Sequence, residues 1–233
     1  MNNIRTVSDT KRTFYSLHTR PINSIYRRVI EELMVEMHLL SVNVDFSYDP
    51  IYALGVVTAF DRFMQGYLPE SDQESIFNAL IKAEQDDPQR YRGEAQHLQE
   101  LAKNLSVKDL IASLKSPAEG TATEWLGDLQ AIAINPKLKY SRLFAIGLFT
   151  LLEQADPSGI QDKATREQIL SQLAEALHLP QDKLLKDLDL YRSNLEKVAQ
   201  ARLMIEEMTQ AERKKREQRA NEAVGASAPD TSN

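Results

Sequence analysis

Apolar residues recur at intervals of three and four along most of the chain, and no stretch alternates with period two for long enough to make a good strand. The pattern predicts an all-α fold: a compact bundle of about nine or ten helices with a long, partly projecting C-terminal helix. Ile22, Ile25, Tyr26, Val29, Ile30, Leu33, Met37 and Leu40 make one amphipathic face after Pro21, with Arg27, Arg28, Glu31 and Glu32 opposite. That spacing allows Arg27–Glu31 and Arg28–Glu32 pairs one turn apart. Ser41 to Tyr48, the nearest approach to a strand, lies between two helix signals and reads as a connecting loop.

One segment has no polar face. In Tyr140 to Leu152, large apolar side chains point every way around a helix, with Arg142 and Thr150 interrupting the wall. A helix of that kind is buried in protein or spans a membrane. This one is too short to span, because a crossing needs roughly 20 apolar residues. It is therefore the expected centre of the core, and Gly147 and Ala145 allow a neighbouring backbone to approach.

Punctuation divides the remainder. Ser8 or Asp9 is the expected cap of a first helix, Ser8 to His18, and a second helix starts at Pro21. Asp49-Pro50 and Asp87-Pro88 each place a capping carboxylate before a proline at the first helical position. They open helices to about Gly66 and to Leu105. Ser71 with Glu74, and Thr121 with Glu124, have capping-box spacing and open helices to Glu84 and to Asn135. Short and amphipathic helices follow at Val107 to Leu114 and Lys163 to Leu179.

The last helix differs. From Gln181 to about Ala223 there is no proline or glycine, and Leu184, Leu188, Tyr191, Leu195, Val198, Arg202 and Ile205 step by four and three as a heptad seam. Beyond Met208 the helix is polar all round. The expected organisation is a helical body over 1–180, a coiled-coil-like helix over 181–222 and a disordered tail over 223–233. The seam suits the body, a partner helix or a second copy of itself.

Composition narrows the function classes. The chain has 233 residues, a net charge of −6 and no cysteine. An acidic balance argues against general nucleic-acid binding, and the missing thiol removes disulfides, cysteine-ligated metals and thiol catalysis. The N-terminus lacks the apolar run of a secretory signal. No phosphate-binding loop, dinucleotide fingerprint, metalloprotease helix or nucleophile elbow is present. No cofactor, catalytic residue or small-molecule substrate is expected.

Three clusters carry candidate chemistry. Glu94–His97 and Glu175–His178 have the i,i+3 spacing that carboxylate-bridged di-metal bundles use. Glu94 and His97 lie near the Leu98–Leu101 face, whereas Glu175 and His178 point away from Leu170, Leu173 and Leu177. A histidine just before Pro180 is explained more simply by the negative end of a helix. Tyr15, Arg20, Asn23, Tyr26 and Arg27 form a polar and aromatic cluster that either orders the turn at Pro21 through hydrogen bonds or presents an interaction surface. Arg213, Lys214, Lys215 and Arg216 make a basic helix end, suited to solvent, to an acidic partner or to peripheral contact with anionic lipid.

The N-terminal third, VSDTKRTFYSLHTRPINSIYRRVIEELMVEMHLL with DPIYALGVVTAFDRFMQGY, and the central YSRLFAIGLFTLLE resemble the thylakoid-formation family, also called photosystem II biogenesis protein 29, over roughly Ile4 to Arg219. The absence of a transit peptide fits its cyanobacterial branch. The resemblance implies a non-enzymatic auxiliary factor in thylakoid membrane biogenesis and in photosystem II assembly or repair. The partners it implies are the thylakoid FtsH protease or photosystem II assembly intermediates. It implies peripheral placement on the cytoplasmic face of the thylakoid with a soluble pool, and it transfers no site residues.

Overall fold

Helix formation follows the caps. In the computed structural model, which describes residues 5–104, 106–115 and 138–226, α1 (Val7–Leu17) starts after Thr6. The Thr6 hydroxyl accepts from the Asp9 backbone N–H and the Asp9 carboxylate accepts from the Thr6 backbone N–H. The capping residue is therefore two or three positions earlier than expected. α2 (Ser24–Ser41) is capped by Asn23, whose side chain accepts from Ile25 N–H. The helix thus begins after Pro21-Ile22 and not at the proline.

Asp49 and Asp87 cap α3 (Pro50–Phe63) and α5 (Pro88–Ala102) as expected, each with proline in the first turn. Gly66 has φ 78° and lies in the turn after α3. α4 (Ser71–Ala83) departs from the expectation: Glu70 is its N-cap, in helical conformation and without a side-chain capping bond, so the Ser71–Glu74 box does not form. α6 (Val107–Lys115), α7 (Arg142–Ala155), α8 (Lys163–Ala176) and α9 (Gln181–Ala226) complete the helices among the described residues, where no strand occurs. The helix expected from Thr121 to Asn135 lies outside the described residues.

α7 is the core of the first compact unit, Met1–Ser193. Every residue from Leu143 to Leu152 is buried. Ser141 caps it by accepting from Phe144 N–H, and the Thr150 hydroxyl donates to Ile146 O, so this buried hydroxyl is satisfied within its own helix. α3, buried from Ile51 to Phe60, packs antiparallel on α7 and also against α5. α1 lies on α2 and α4, and α6 on α8. Leu184, Leu188 and Tyr191 of α9 are buried in this unit.

The second unit, Asn194–Asn233, contains the rest of α9, which continues unbroken to Ala226. Leu203, Met204, Ile205 and Met208 are exposed there. Among the described residues no helix is long and apolar enough to cross a membrane.

Candidate interaction surface

The polar cluster around Pro21 is divided among several neighbours. Tyr15 donates its hydroxyl to Glu31 at 2.7 Å, and Lys11 Nζ approaches the other oxygen of that carboxylate at 2.8 Å. These bonds, Lys11 first, hold the Glu31 carboxyl below its usual range, while burial and the same carboxylate push the Tyr15 phenol up to about 12. The predicted Arg27–Glu31 pair is absent because Glu31 is already held from α1. Arg28–Glu32 forms, at 3.0 Å.

Arg20 reaches across to α4, with Nη1 2.7 Å from the buried Asp72 carboxylate. Asn23 caps α2, and Tyr26 is buried, edge-on to Tyr67 with ring centroids 5.1 Å apart. Of the five residues, Arg27 alone is left as an exposed cation with no carboxylate at ion-pair distance among the described residues.

Arg27 faces a groove of about 1060 Å³ inside the first unit, bounded by α1, α2 and the first turns of α7 and α9. Its carboxylates are all engaged. Glu31 and Glu32 are paired as above, Glu36 accepts from Arg142 Nε at 3.1 Å, and Asp187 accepts from the Tyr140 hydroxyl at 2.8 Å. Burial raises the Glu36 carboxyl, with Arg142 pulling the other way. Lys183 stands over the Tyr140 ring, 4.9 Å from its centroid. The apolar part of the wall is Val35, Leu39 and Leu40, and Leu39 is 59% exposed. Sequence reasoning did not find this groove. Its hint is that Val35 and Leu39 fall outside the buried stripe of α2 and share a second face at i,i+4.

The two E-x-x-H pairs do not build a metal centre. His97 is exposed, and Glu94 is taken by the Tyr48 hydroxyl at 2.6 Å and by Arg90 Nε at 3.3 Å. Glu175 and His178 are exposed at the end of α8, with His178 at φ 53° just past the helix. Among the described residues no three His, Asp or Glu side chains gather closely enough to hold a metal ion. Arg213, Lys214, Lys215 and Arg216 are exposed on α9 in the second unit.

The family model described as thylakoid formation protein matches residues 6–220. The chain belongs to the thylakoid formation protein family. It is 62% identical to Protein Thf1 of Nostoc punctiforme with both chains fully covered, and 61% identical to Protein Thf1 of Trichormus variabilis over 98% of this chain and 99% of that one. A solved structure titled "Structure of Psb29 at 1.55A" superposes with a TM-score of 0.80 at 47% identity, covering 91% of this chain and 98% of the other. The all-α fold is thus the fold of the thylakoid formation family. Members from two cyanobacteria align with this chain across α1, α3 and α7, the helices whose wording carries the resemblance.

Proposed function

We propose that this chain is a non-enzymatic auxiliary factor in thylakoid membrane formation and in photosystem II assembly or repair. It works by protein–protein contact, with the thylakoid FtsH protease as its principal partner, from the cytoplasmic face of a cyanobacterial thylakoid. The observation that carries this reading is the family match over residues 6–220. The relatives named Thf1 align over essentially their whole length, so the likeness is not confined to one shared helix pair. The exposed cations Arg27 and Arg213 to Arg216 supply contact points on a chain whose net charge is −6. Tyr15, Arg20 and Asn23 support such a surface indirectly, by fixing the α1–α2 turn that presents Arg27.

The test is affinity purification of a tagged copy from gently solubilised cyanobacterial membranes. Enrichment of FtsH subunits over an untagged control is the expected result. Photosystem II intermediates without protease would move the role to assembly. Recovery of neither would overturn the reading.

A further inference from the structure

We propose that the groove along α2 docks an acidic, amphipathic polypeptide segment of a partner protein. The inference rests on the reading that this chain acts by protein contact, and it names the surface. Two features set the occupant's chemistry. The groove brings five cations against four carboxylates, on a chain where Asp and Glu outnumber Lys and Arg by 34 to 28. All four carboxylates already have donors, whereas Arg27 and Lys183 have no carboxylate at ion-pair distance among the described residues. The unmet demand is therefore for negative charge.

The same groove is lined by Val35 and Leu39, one turn apart, and Leu39 leaves more than half of its surface in water. A segment with apolar residues at i and i+3 or i+4 and glutamates or aspartates beside them satisfies both demands. This is helix-in-groove recognition with charged flanks. Charge complementarity of this kind governs partner choice and association rate more than raw affinity.

The probe is a synthetic helix-forming peptide of about sixteen residues, with leucines at every third and fourth position and glutamates between them. Its control carries lysine for glutamate. Each is titrated into the full-length, isotopically labelled chain and followed by amide chemical shifts. The glutamate peptide is expected to move α2 and the first turns of α7 and α9, and to bind at least about tenfold more tightly than the lysine peptide. Leu39→Glu and the double change Arg27→Glu with Lys183→Glu should each weaken it by roughly tenfold or more. All three sites are exposed, so the circular dichroism spectrum should be unchanged.

Equal binding of the two peptides, shifts located elsewhere, or no binding at about millimolar peptide would overturn the proposal. So would a concentration-dependent dimer that Leu39→Glu abolishes, because the occupant would then be a second copy. Repeating the affinity purification with the double variant separates this inference from the broader one. Partner capture that persists would remove the groove while leaving the function standing.

Discussion

Gly55 and Gly147 meet at one helix crossing, each against the other's backbone. A Cβ built on Gly55 would lie 1.7 Å from Leu143 O, and one on Gly147 would lie 1.9 Å from Ile51 O. Both contacts are with backbone, so no side chain can rotate away to make room. Gly55→Ala and Gly147→Ala should each destabilise the first unit by about 3 kcal/mol or more, since overpacking here separates two helices. The double variant should cost less than the sum of the singles, because helices moved apart for one methyl already accommodate the other. Urea unfolding of the three variants measures this. Strict additivity would show that the two contacts are independent.

Asp49 carries the most informative pH dependence. Burial pushes its carboxyl up to about 6, with the Tyr52 and Ile51 backbone N–H groups pulling it down and Glu94 adding repulsion. The folded state therefore holds this proton more tightly than the unfolded chain does. The stability so gained is complete below about pH 4 and is lost as the pH rises through about 6. Asparagine caps a helix as well as aspartate does. Asp49→Asn should thus stabilise the fold by up to about 3 kcal/mol at pH 7.5, raising Tm there, and change Tm little at pH 4. Calorimetry at both values checks this, and a loss of Tm at pH 7.5 would contradict it.

His38 and His18 run in the opposite direction. Burial is the main cause lowering both, and the His38 ring nitrogen is 3.0 Å from the Thr10 hydroxyl. A buried neutral histidine contributes stability above its unfolded pKa that is lost as the pH falls through its lower folded value. In a proton NMR titration of the imidazole signals, both residues should titrate below the ordinary histidine range near 6.5. A normal midpoint for His38 would mean that α1 and α2 do not enclose it.

The two ends of α9 should respond differently to change. Leu184 is fully buried in the first unit, and Leu184→Ala should cost about 2–5 kcal/mol. Deleting residues 208–233 removes side chains that, from Met208 to Gln218, are exposed. That truncation should leave the Tm of the first unit within about 2 °C. A large drop would show that the distal helix stabilises the first unit.

The sequence made the helices legible because caps, prolines and apolar spacing are local signals. Asp49 and Asp87 announce helices that are present, and the wall of Leu143 to Leu152 is buried as its lack of a polar face requires. The Ser71 box failed because the chain enters α4 already helical at Glu70, a geometry that leaves no cap for a serine to make. The candidate site was harder to read. Which carboxylate an arginine meets depends on elements far apart in sequence, as in Arg142 with Glu36, Arg62 with Glu153 and Arg5 with Glu84. The local pairing rule favoured Arg27 with Glu31. It lost to Lys11 and Tyr15, which come from another helix and therefore left Arg27 available.

The pairing of α3 with α7 also sets an order of events at the ribosome. α3 is buried throughout from Ile51 to Phe60, yet its main packing partner among the described residues lies about ninety residues further along the chain. At synthesis rates of roughly 5–20 residues per second, α3 waits on the order of five to twenty seconds before Gly147 is even made. Of the described helices made by then, α2, α4 and α5 are the ones that touch it. The centre of this protein closes late, so the newly made chain depends on whatever keeps α3 from other apolar surfaces until α7 arrives.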